Sequence, residues 1–533
     1  MKRAYSLYTN TDENSNASSI RPLKTKYLRM KEKVIKYLFI AVSLMISLGS
    51  CDKAFLEVQP KGQFLSANYY ADKDQAYSAL VGVYDGMRKN SGGFENMISM
   101  MNAGSDDNYA GGGGATDGAG IQGFSNYTLN SIIMPGSFWG DHYQAIFKAN
   151  MLLSKMPDIT MDAALKARFT AEAKALRALY YFNLLNMFKN IPLLLEPLTA
   201  TNMYDVTQAT PEAVNTQIEK DLNEAITDLP VTLTSVATEA GRLTKGAAKA
   251  LLGKVYLYEK KNALAATQLA DVNGTPGGTS QFRYRLLPSF GDLWISTNKF
   301  NSESIIEACH SAAGQTGSWG YTSSDEGNVL NVMVGPRSYS RPAGSTAPDL
   351  PSGWSFNVFT QDFYDFIKTD PRFTATVLDL KALKAAGKAD YLSGYMDTGY
   401  FLQKFVPGRA DVRTGGGALE LNYKQDTYVI RLADTYLMEA EALGATGARA
   451  QALLDAVRAR VGLPSVPVNL AAIKAERRLE LAGEGFRFFD LVRWGDAASK
   501  LGSRGFTASK NEIFPIPYRE LQGTKLVQNP GYN

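Results

Sequence analysis

Residues 475–495 read AERRLELAGEGFRFFDLVRWG, and this stretch organises the rest of the chain. In its first half Arg477, Glu480 and Glu484 carry charges of both signs three and four residues apart, which is the spacing of neighbouring helical turns. In its second half aromatic residues alternate with charged ones such as Arg487. This half is too apolar to lie in water, and its charges cannot be buried without partners. The stretch predicts a helix end docked into a core, with its charges in a structural ion-pair network rather than in a site for an anionic sugar.

Apolar residues also recur at helical spacing through much of the remaining chain. Thr210 and Thr244 stand where a helix-capping side chain is expected, and Pro211 occupies a first helical position. The pattern predicts a mainly α fold of helix pairs joined by modest loops, without a strict 34-residue repeat. The predicted helices span about 72–88, 138–156, 162–189, 211–229, 245–261, 428–443, 448–461 and 470–483.

Two regions interrupt the helices. Residues 91–127 are predicted to be mostly loop, and their four consecutive glycines lack the preceding strand and following helix of a phosphate-binding loop. From 274 to about 427 glycine, serine, proline and aromatic residues dominate, with short apolar runs at 304–308 and 373–380 as candidate strands. An insertion of this length favours a ligand-side role, so the single domain 72–533 divides into this insertion and a helical scaffold at about 72–273 and 428–533.

The start of the chain has the pattern of an exported lipoprotein. Residues 1–29 are polar and indicate a non-structured extension or a start assigned too early. Residues 30–50 join a lysine-rich flank to an apolar run too short to span a bilayer, and they end in Leu-Gly-Ser before Cys51. That ending resembles a bacterial lipobox, which predicts lipidation of Cys51 and a lipidated tether over 51–71. Ordinary secretion with a chance cysteine is the alternative.

Charge and cysteine content exclude two other classes of protein. Residues 1–50 hold nine lysines and arginines against three acids, so the net charge of +4 becomes about −2 once they are removed. The basic balance therefore belongs to the export segment and does not indicate nucleic-acid binding. The cysteines are Cys51 and Cys309, and lipidation of the first leaves no pair for a disulfide.

Catalytic motifs are absent from the sequence, which predicts a protein that is not an enzyme. Of the two histidines, His142 lies on an apolar helix face and is predicted to be a core or rim residue. No metalloprotease, paired-cysteine, nucleophile-elbow or P-loop pattern occurs. Asp106 and Asp107 are the best candidates for chemistry, and four interpretations stay open: a structural pair, a sugar-binding pair, a calcium site or a catalytic pair.

Aromatic residues in loops are the better candidates for ligand contact. A pyranose ring presents an apolar C–H face to an aromatic plane, while amides and carboxylates bind its hydroxyl groups. Trp319 and Tyr321, flanked by glycines, are the strongest candidates, followed by Tyr109 beside Asn108, and by Trp354. Loop packing is the alternative for each. The remaining tryptophans lie on regular or apolar elements and are predicted to pack in the core: Trp139, Trp294 and Trp494.

The C-terminal motifs resemble a known family. The pattern E-R-R-x-E-L-x-x-E-G-x-R-x-F-D-L-x-R-W-G over 476–495 is similar to the signature of the SusD/RagB family, and F-P-I-P at 514–517 and N-P-G-Y at 529–532 are similar to its ending. These proteins are surface glycan-binding lipoproteins of the Bacteroidota. The resemblance implies a tetratricopeptide-like helical scaffold, and it places an acidic element such as Asp106-Asp107 near the ligand-facing surface.

The same resemblance implies a role in nutrient uptake. It predicts an outer-membrane protein, lipid-anchored and facing the cell exterior, that captures oligosaccharide and delivers it to a SusC-like TonB-dependent transporter. No cofactor is expected, and a structural calcium ion is not predicted. Three alternatives stay open: the same scaffold binding peptide or other non-sugar cargo, a lipoprotein hydrolase that uses Asp106 or Asp107, and a helical adaptor without a soluble ligand.

Overall fold

The architecture is mainly helical, as predicted. The computed structural model describes residues 70–199, 201–313, 326–413 and 418–532. The helices before residue 300 are α1 Lys73–Tyr84, α2 Met97–Ala103, α3 Ala119–Asn126, α4 Ser137–Lys155, α5 Ala163–Phe188, α6 Pro211–Asp228, α7 Val236–Glu239, α8 Lys245–Tyr258 and α9 Asn262–Asn273. Those after it are α10 Leu330–Val334, α11 Gln361–Ile367, α12 Phe373–Thr376, α13 Leu380–Ala385, α14 Leu432–Ala442, α15 Gly447–Arg460, α16 Leu470–Glu480, α17 Arg487–Arg493, α18 Ala497–Leu501 and α19 Tyr518–Leu521. The strands are β1 Ser304–Ala308, β2 Arg337–Ser340, β3 Val377–Asp379, β4 Asp390–Leu392, β5 Tyr400–Leu402 and β6 Thr427–Arg431.

The long helices form a scaffold of sequential pairs. Helix α5 packs against α4 and α6, α8 packs against α9, and α14 packs against α9 and α15. Both predicted caps are confirmed: the hydroxyl of Thr210 accepts from the Ala213 N–H at 3.2 Å, and that of Thr244 accepts from the Ala247 N–H at 3.3 Å. The helix pairs are consistent with a tetratricopeptide-like scaffold and bury one continuous apolar core.

The strands form three small antiparallel sheets, β1 with β6, β2 with β4, and β3 with β5. The strand predicted at 304–308 is confirmed, whereas the helix predicted at 428–443 is wrong at its start, because α14 begins only at Leu432. Residues 427–430 are β-branched or aromatic and pair with β1, and this long-range partner decides their conformation. The run 373–380 begins as helix α12 and becomes a strand only at β3.

Residues 91–127 contain two helices where mostly loop was predicted. Helix α2 is capped by the Asn96 side chain, which accepts from the Ser99 N–H at 2.9 Å, and every residue of this helix is buried. A helix buried on all sides has no amphipathic period, so sequence spacing could not reveal it. On α1, Tyr77 and Val81 are 41% and 48% exposed. Helix α9 was not predicted.

Residues 475–495 form the ion-pair network that their sequence predicts. Glu480, at the end of α16, accepts from Arg431 at 2.6 Å and from Arg372 at 3.0 Å, and it also pairs with Arg460. Burial opposes ionisation, yet these three guanidinium groups hold the pKa of Glu480 well below its ordinary value. Arg477 is likewise buried and pairs with two aspartates. The network ties α16 to α14, α15 and the insertion.

The predictions for isolated core residues are mostly confirmed. His142 is 2% exposed, and its Nδ1 lies 2.7 Å from a main-chain carbonyl one turn earlier. Trp139 is 4% exposed and belongs to the core. Trp294 is half-buried among aromatic rings at the core edge. Trp494 is also half-buried rather than fully in the core, because its indole N–H donates to Glu441 at 2.9 Å.

Residues 1–69 lie outside the described residues, and so do the predicted signal segment, Cys51 and most of the tether. The division of the chain into these segments therefore stays a prediction. The described residues, from 70 to 532, cluster as one compact unit. Among the helices of the described ranges, none combines the length and the apolar character needed to cross a bilayer.

Candidate functional site

Two predicted ligand-contacting regions that are far apart in sequence lie side by side. The N–H of Tyr109 donates to the carbonyl of Val358 at 2.9 Å, and the N–H of Gly112 donates to that of Ser355 at 2.8 Å. Residues 108–112 thus run antiparallel to 355–359 as an extended pair. Trp354 directly precedes this pairing, so the fold brings the Tyr109 and Trp354 regions into one surface region.

The acidic pair below this region is held by the C-terminal signature. Arg487 donates two hydrogen bonds to Asp106, at 2.7 and 2.8 Å, and Arg478 donates one to Asp107 at 2.7 Å. For Asp106 burial is outweighed by Arg487, and its pKa falls below the ordinary value; for Asp107 burial raises the pKa to about 6. Asp107 and Asn108, both predicted to contact a ligand, are each 1% exposed. In this structure their side chains contact protein rather than solvent, which fits the structural interpretation.

Metal binding has no support in the part of the chain that the structure describes. No group of three or more histidine, cysteine, aspartate or glutamate side chains there has the arrangement to hold an ion. The carboxylates of Asp106 and Asp107 are already occupied by guanidinium groups.

The ring of Tyr109 is half-buried beneath the guanidinium of Arg504, which lies 5.3 Å from the ring centroid.

Several loops meet at Trp354 in an unusual backbone arrangement, and we call this region the loop junction. The segments that form the loop junction are 92–95, 111–118, 335–338, 353–357 and 394–396. The residues with a left-handed backbone in these segments are Gly93, Gly111, Gly112, Gly118, Ser338, Ser355, Asn357 and Met396. At Gly111 a Cβ atom would lie only 2.3 Å from the Ser355 carbonyl oxygen, so only glycine allows this close approach. Strained non-glycine residues such as Ser355 and Asn357 cluster at ligand-binding sites more often than elsewhere.

The loop junction presents aromatic rings beside an accessible ion pair. Trp354 is half-buried, and its ring centroid lies 6.2 Å from that of Phe94, which in turn packs edge-on against Phe356 at 5.2 Å. Arg337 donates to Asp117 at 2.9 Å, and these side chains are 31% and 38% exposed. Aromatic faces beside accessible charged hydrogen-bonding groups are the chemistry that sugar recognition needs.

Of the residues at the loop junction, sequence reasoning selected Trp354 as a candidate and did not select Phe94, Arg337 or Asp117. The arginine and the aspartate are 220 residues apart, and no local pattern links them. Phe94 follows Gly92-Gly93, and a signal was available there: an aromatic residue beside glycines was the criterion that selected other candidates.

Trp319 and Tyr321 lie outside the described residues. The chain leaves the described part after 313 and returns at 326. These two ends lie close together, because the N–H of Ser311 donates to the carbonyl of Glu326 at 2.8 Å. His310 Nε2 lies 2.7 Å from the Ser91 hydroxyl, so His310 lies beside the chain that leads to Phe94.

Matches to related protein sequences extend over most of this chain. A family model described as "SusD family" matches residues 356–532, and one described as "Starch-binding associating with outer membrane" matches residues 115–257. SusD-like protein P25 of Formosa agariphila is 26% identical over 548 residues, which cover 92% of this chain and 97% of that protein. A SusD-like protein of Bacteroides ovatus is 25% identical over 494 residues, covering 86% and 82% of the two chains.

Solved structures match most of this chain. A laminarin binding SusD-like protein is 62% identical, with a TM-score of 0.85, and the match covers 87% of this chain and 100% of that one. Surface glycan-binding protein A from Bacteroides thetaiotaomicron, in complex with laminarihexaose, is 26% identical with a TM-score of 0.76, covering 86% and 99%. Because a relative of 62% identity is matched over its full length, this chain belongs to the SusD family.

Proposed function

We propose that this protein is a cell-surface glycan-binding protein whose ligand is a laminarin-type glucan. The observation that carries the proposal is its 62% identity to a laminarin binding SusD-like protein along that protein's entire length. The backbones of the two proteins also superpose with a TM-score of 0.85, whereas the relatives at 25–26% identity support only the general class of ligand.

The loop junction is the part of the described surface that we assign to the ligand. Trp354 and Phe94 supply apolar ring faces for the C–H faces of glucose units, and Arg337 and Asp117 supply a donor and an acceptor for hydroxyl groups. Main-chain hydrogen bonds join the segments of the junction, such as the one from the Gly112 N–H to the Ser355 carbonyl, and such preorganisation reduces the entropy lost on binding. Trp319 and Tyr321 remain proposed contacts, and Tyr109 is a weaker one because its ring lies beneath Arg504.

We also propose the cellular context that the family implies. The protein is anchored in the outer membrane by lipid on Cys51, faces the exterior, and delivers oligosaccharide to a SusC-like TonB-dependent transporter. Covalent lipid attachment can hold a protein at a membrane without a spanning helix. Its role is capture without bond cleavage, and neither a cofactor nor nucleic acid takes part.

Replacing Trp354 with alanine is expected to weaken binding of laminarihexaose by about 10- to 100-fold, which corresponds to about 1.4–2.8 kcal/mol. The reason is the loss of the ring that stacks on the sugar. Isothermal titration calorimetry on the chain from Asp52 measures the change. Tyr77→Ala is the matched control, since Tyr77 is 41% exposed on α1 and lines a cavity that shares no residue with the loop junction.

Because Trp354 also packs against the core, each variant is checked by its melting temperature. Arg337→Gln provides a second test that removes charge and leaves the aromatic rings in place, and we expect a loss of about 5- to 10-fold, typical of a charged hydrogen bond. Unchanged affinity in both folded variants would contradict the assignment of the junction. Wild-type protein without affinity for any laminarin fragment would contradict the proposed ligand.

The absence of hydrolysis has its own test. Wild-type protein incubated with laminarin is expected to release no more reducing ends than a buffer control, because the carboxylates of Asp106 and Asp107 are engaged by arginines. Release of reducing ends that Asp106→Asn abolishes would contradict the non-enzymatic role and support the hydrolase alternative.

A further inference from the structure

A large concave surface adjoins the loop junction on the far side of Phe94, and we call it the distal groove. Its volume is about 770 Å³, within the range of pockets that bind small molecules. Phe94 belongs to both features: it packs beside Trp354 on one side and lines the groove on the other. Gly118 lies between them, where a Cβ atom would be only 2.7 Å from the Phe94 ring. The segments that line the groove are 94–95, 118–120, 131–137 and 517–520.

The C-terminal motifs give one wall of the distal groove a fixed backbone. Pro515 and Pro517 restrict the chain, and the buried Asn529 donates to the carbonyls of Phe514 and Phe188, both at 2.8 Å. The main-chain N–H of Tyr518, the residue after Pro517, donates to the carbonyl of Ser131 at 2.8 Å. The F-P-I-P and N-P-G-Y motifs therefore hold α19 against the opposite wall of the groove.

The side chains of the distal groove have the chemistry of a sugar subsite. Tyr518 is 51% exposed and Ile132 is 80% exposed, so apolar faces remain open to a ligand. Glu520 also lines the groove, and among the described residues none donates a hydrogen bond to its carboxylate or forms an ion pair with it. Burial raises the pKa of Glu520, which marks a carboxylate partly removed from water without compensation. Glu95 supplies a second carboxylate, which accepts from Ser137.

We infer that the distal groove binds further glucose units of the same glycan chain that the loop junction holds, with Tyr518 as the residue that determines chain-length preference. This inference rests on the proposed function. An extended ligand that passes Phe94 would contact Trp354 at one end and Tyr518 at the other, with Glu520 accepting from its hydroxyl groups. Short oligosaccharides would occupy the junction alone, and longer ones would gain affinity from the groove.

The test compares laminaritriose with laminarihexaose by isothermal titration calorimetry on the chain from Asp52. Tyr518→Ala is expected to weaken the hexaose by about 10-fold, equivalent to about 1.4 kcal/mol, and to leave the triose within about twofold. Tyr77→Ala is the matched control, since Tyr77 is 41% exposed and lines a cavity that shares no lining residue with the distal groove. It should change neither affinity. Trp354→Ala should weaken both sugars.

Two further variants test the groove without relying on Tyr518, in case Tyr518→Ala disturbs the fold. Ile132→Ser and Glu520→Gln alter exposed or half-exposed side chains, and each should weaken the hexaose by about 3- to 5-fold with the triose unchanged. Hexaose affinity unchanged in all three groove variants would overturn the distal subsite while leaving the proposed function intact. Equal losses for triose and hexaose would also overturn it. Wild-type protein that binds neither sugar would overturn both proposals together.

Discussion

Replacing Arg431 with methionine is expected to lower the free energy of unfolding by about 4 kcal/mol, in the range measured when one partner of a buried ion pair is removed. Arg431 is 0% exposed and donates to Glu303 at 2.9 Å, to Glu480 at 2.6 Å and to Glu484 at 2.8 Å. Methionine fills similar volume but leaves these carboxylates short of a counter-charge in the interior. Equilibrium unfolding in urea, followed by circular dichroism, measures the loss.

Arg409→Met is the control for this prediction. The Arg409 side chain is 57% exposed and pairs with Asp349, which is 49% exposed, so solvent replaces the lost partner. We expect a change below about 1 kcal/mol, as for other surface ion pairs. A loss for Arg431→Met no greater than that of the control would show that Arg372 and Arg460 neutralise Glu480 without help, and the prediction would be wrong.

Acid is expected to destabilise the protein through His310 by about 3 kcal/mol between pH 7.0 and pH 4.5. Burial lowers the pKa of His310 to about 3, and the ring lies between the Ser91 hydroxyl and the Glu326 carbonyl. Unfolded chains take up this proton near pH 6.5, whereas the folded protein does not. The contribution of the neutral histidine is therefore complete above pH 6.5 and is lost as pH falls towards 3.

The effect is isolated by comparing pH dependences rather than absolute stabilities. Burial raises the pKa of Glu307 to about 8, and this group acts in the opposite direction, since the folded protein binds its proton first. In His310→Gln the loss of unfolding free energy from pH 7.0 to 4.5 should be smaller by about 3 kcal/mol than in wild type. Burial also lowers the pKa of His142, to about 4, so His142→Gln should show a similar difference. The variant with both substitutions should show about twice the difference in pH dependence. The same pH dependence in wild type and all variants would contradict the prediction.

The helical scaffold could be predicted because its signals are local. Thr210, Thr244 and Pro211 act on helix ends within three residues, and the apolar stripes of α4 and α6 repeat every turn. The signature also predicted its own pairing, since arginines among aromatic residues must find carboxylates once buried. What it did not reveal was the partners: Arg478 and Arg487 reach Asp107 and Asp106, 371 and 381 residues away.

The predictions failed where a distant segment decides the outcome. Residues 427–431 form a strand because β1 pairs with them, and α2 is hidden from sequence periodicity because the protein buries it on every side.

The sequence by itself determined the mainly α class, the capped starts of α6 and α8, the ion-paired signature and the family resemblance, because these depend on spacing within a few residues or on a continuous motif. The tertiary structure alone decided that Asp107 and Asn108 are buried, that Trp354 meets Phe94, and that the distal groove adjoins them. The physical reason is that a binding surface consists of loops brought together by the packing of other elements, and chain closure over hundreds of residues leaves no periodic trace in the sequence.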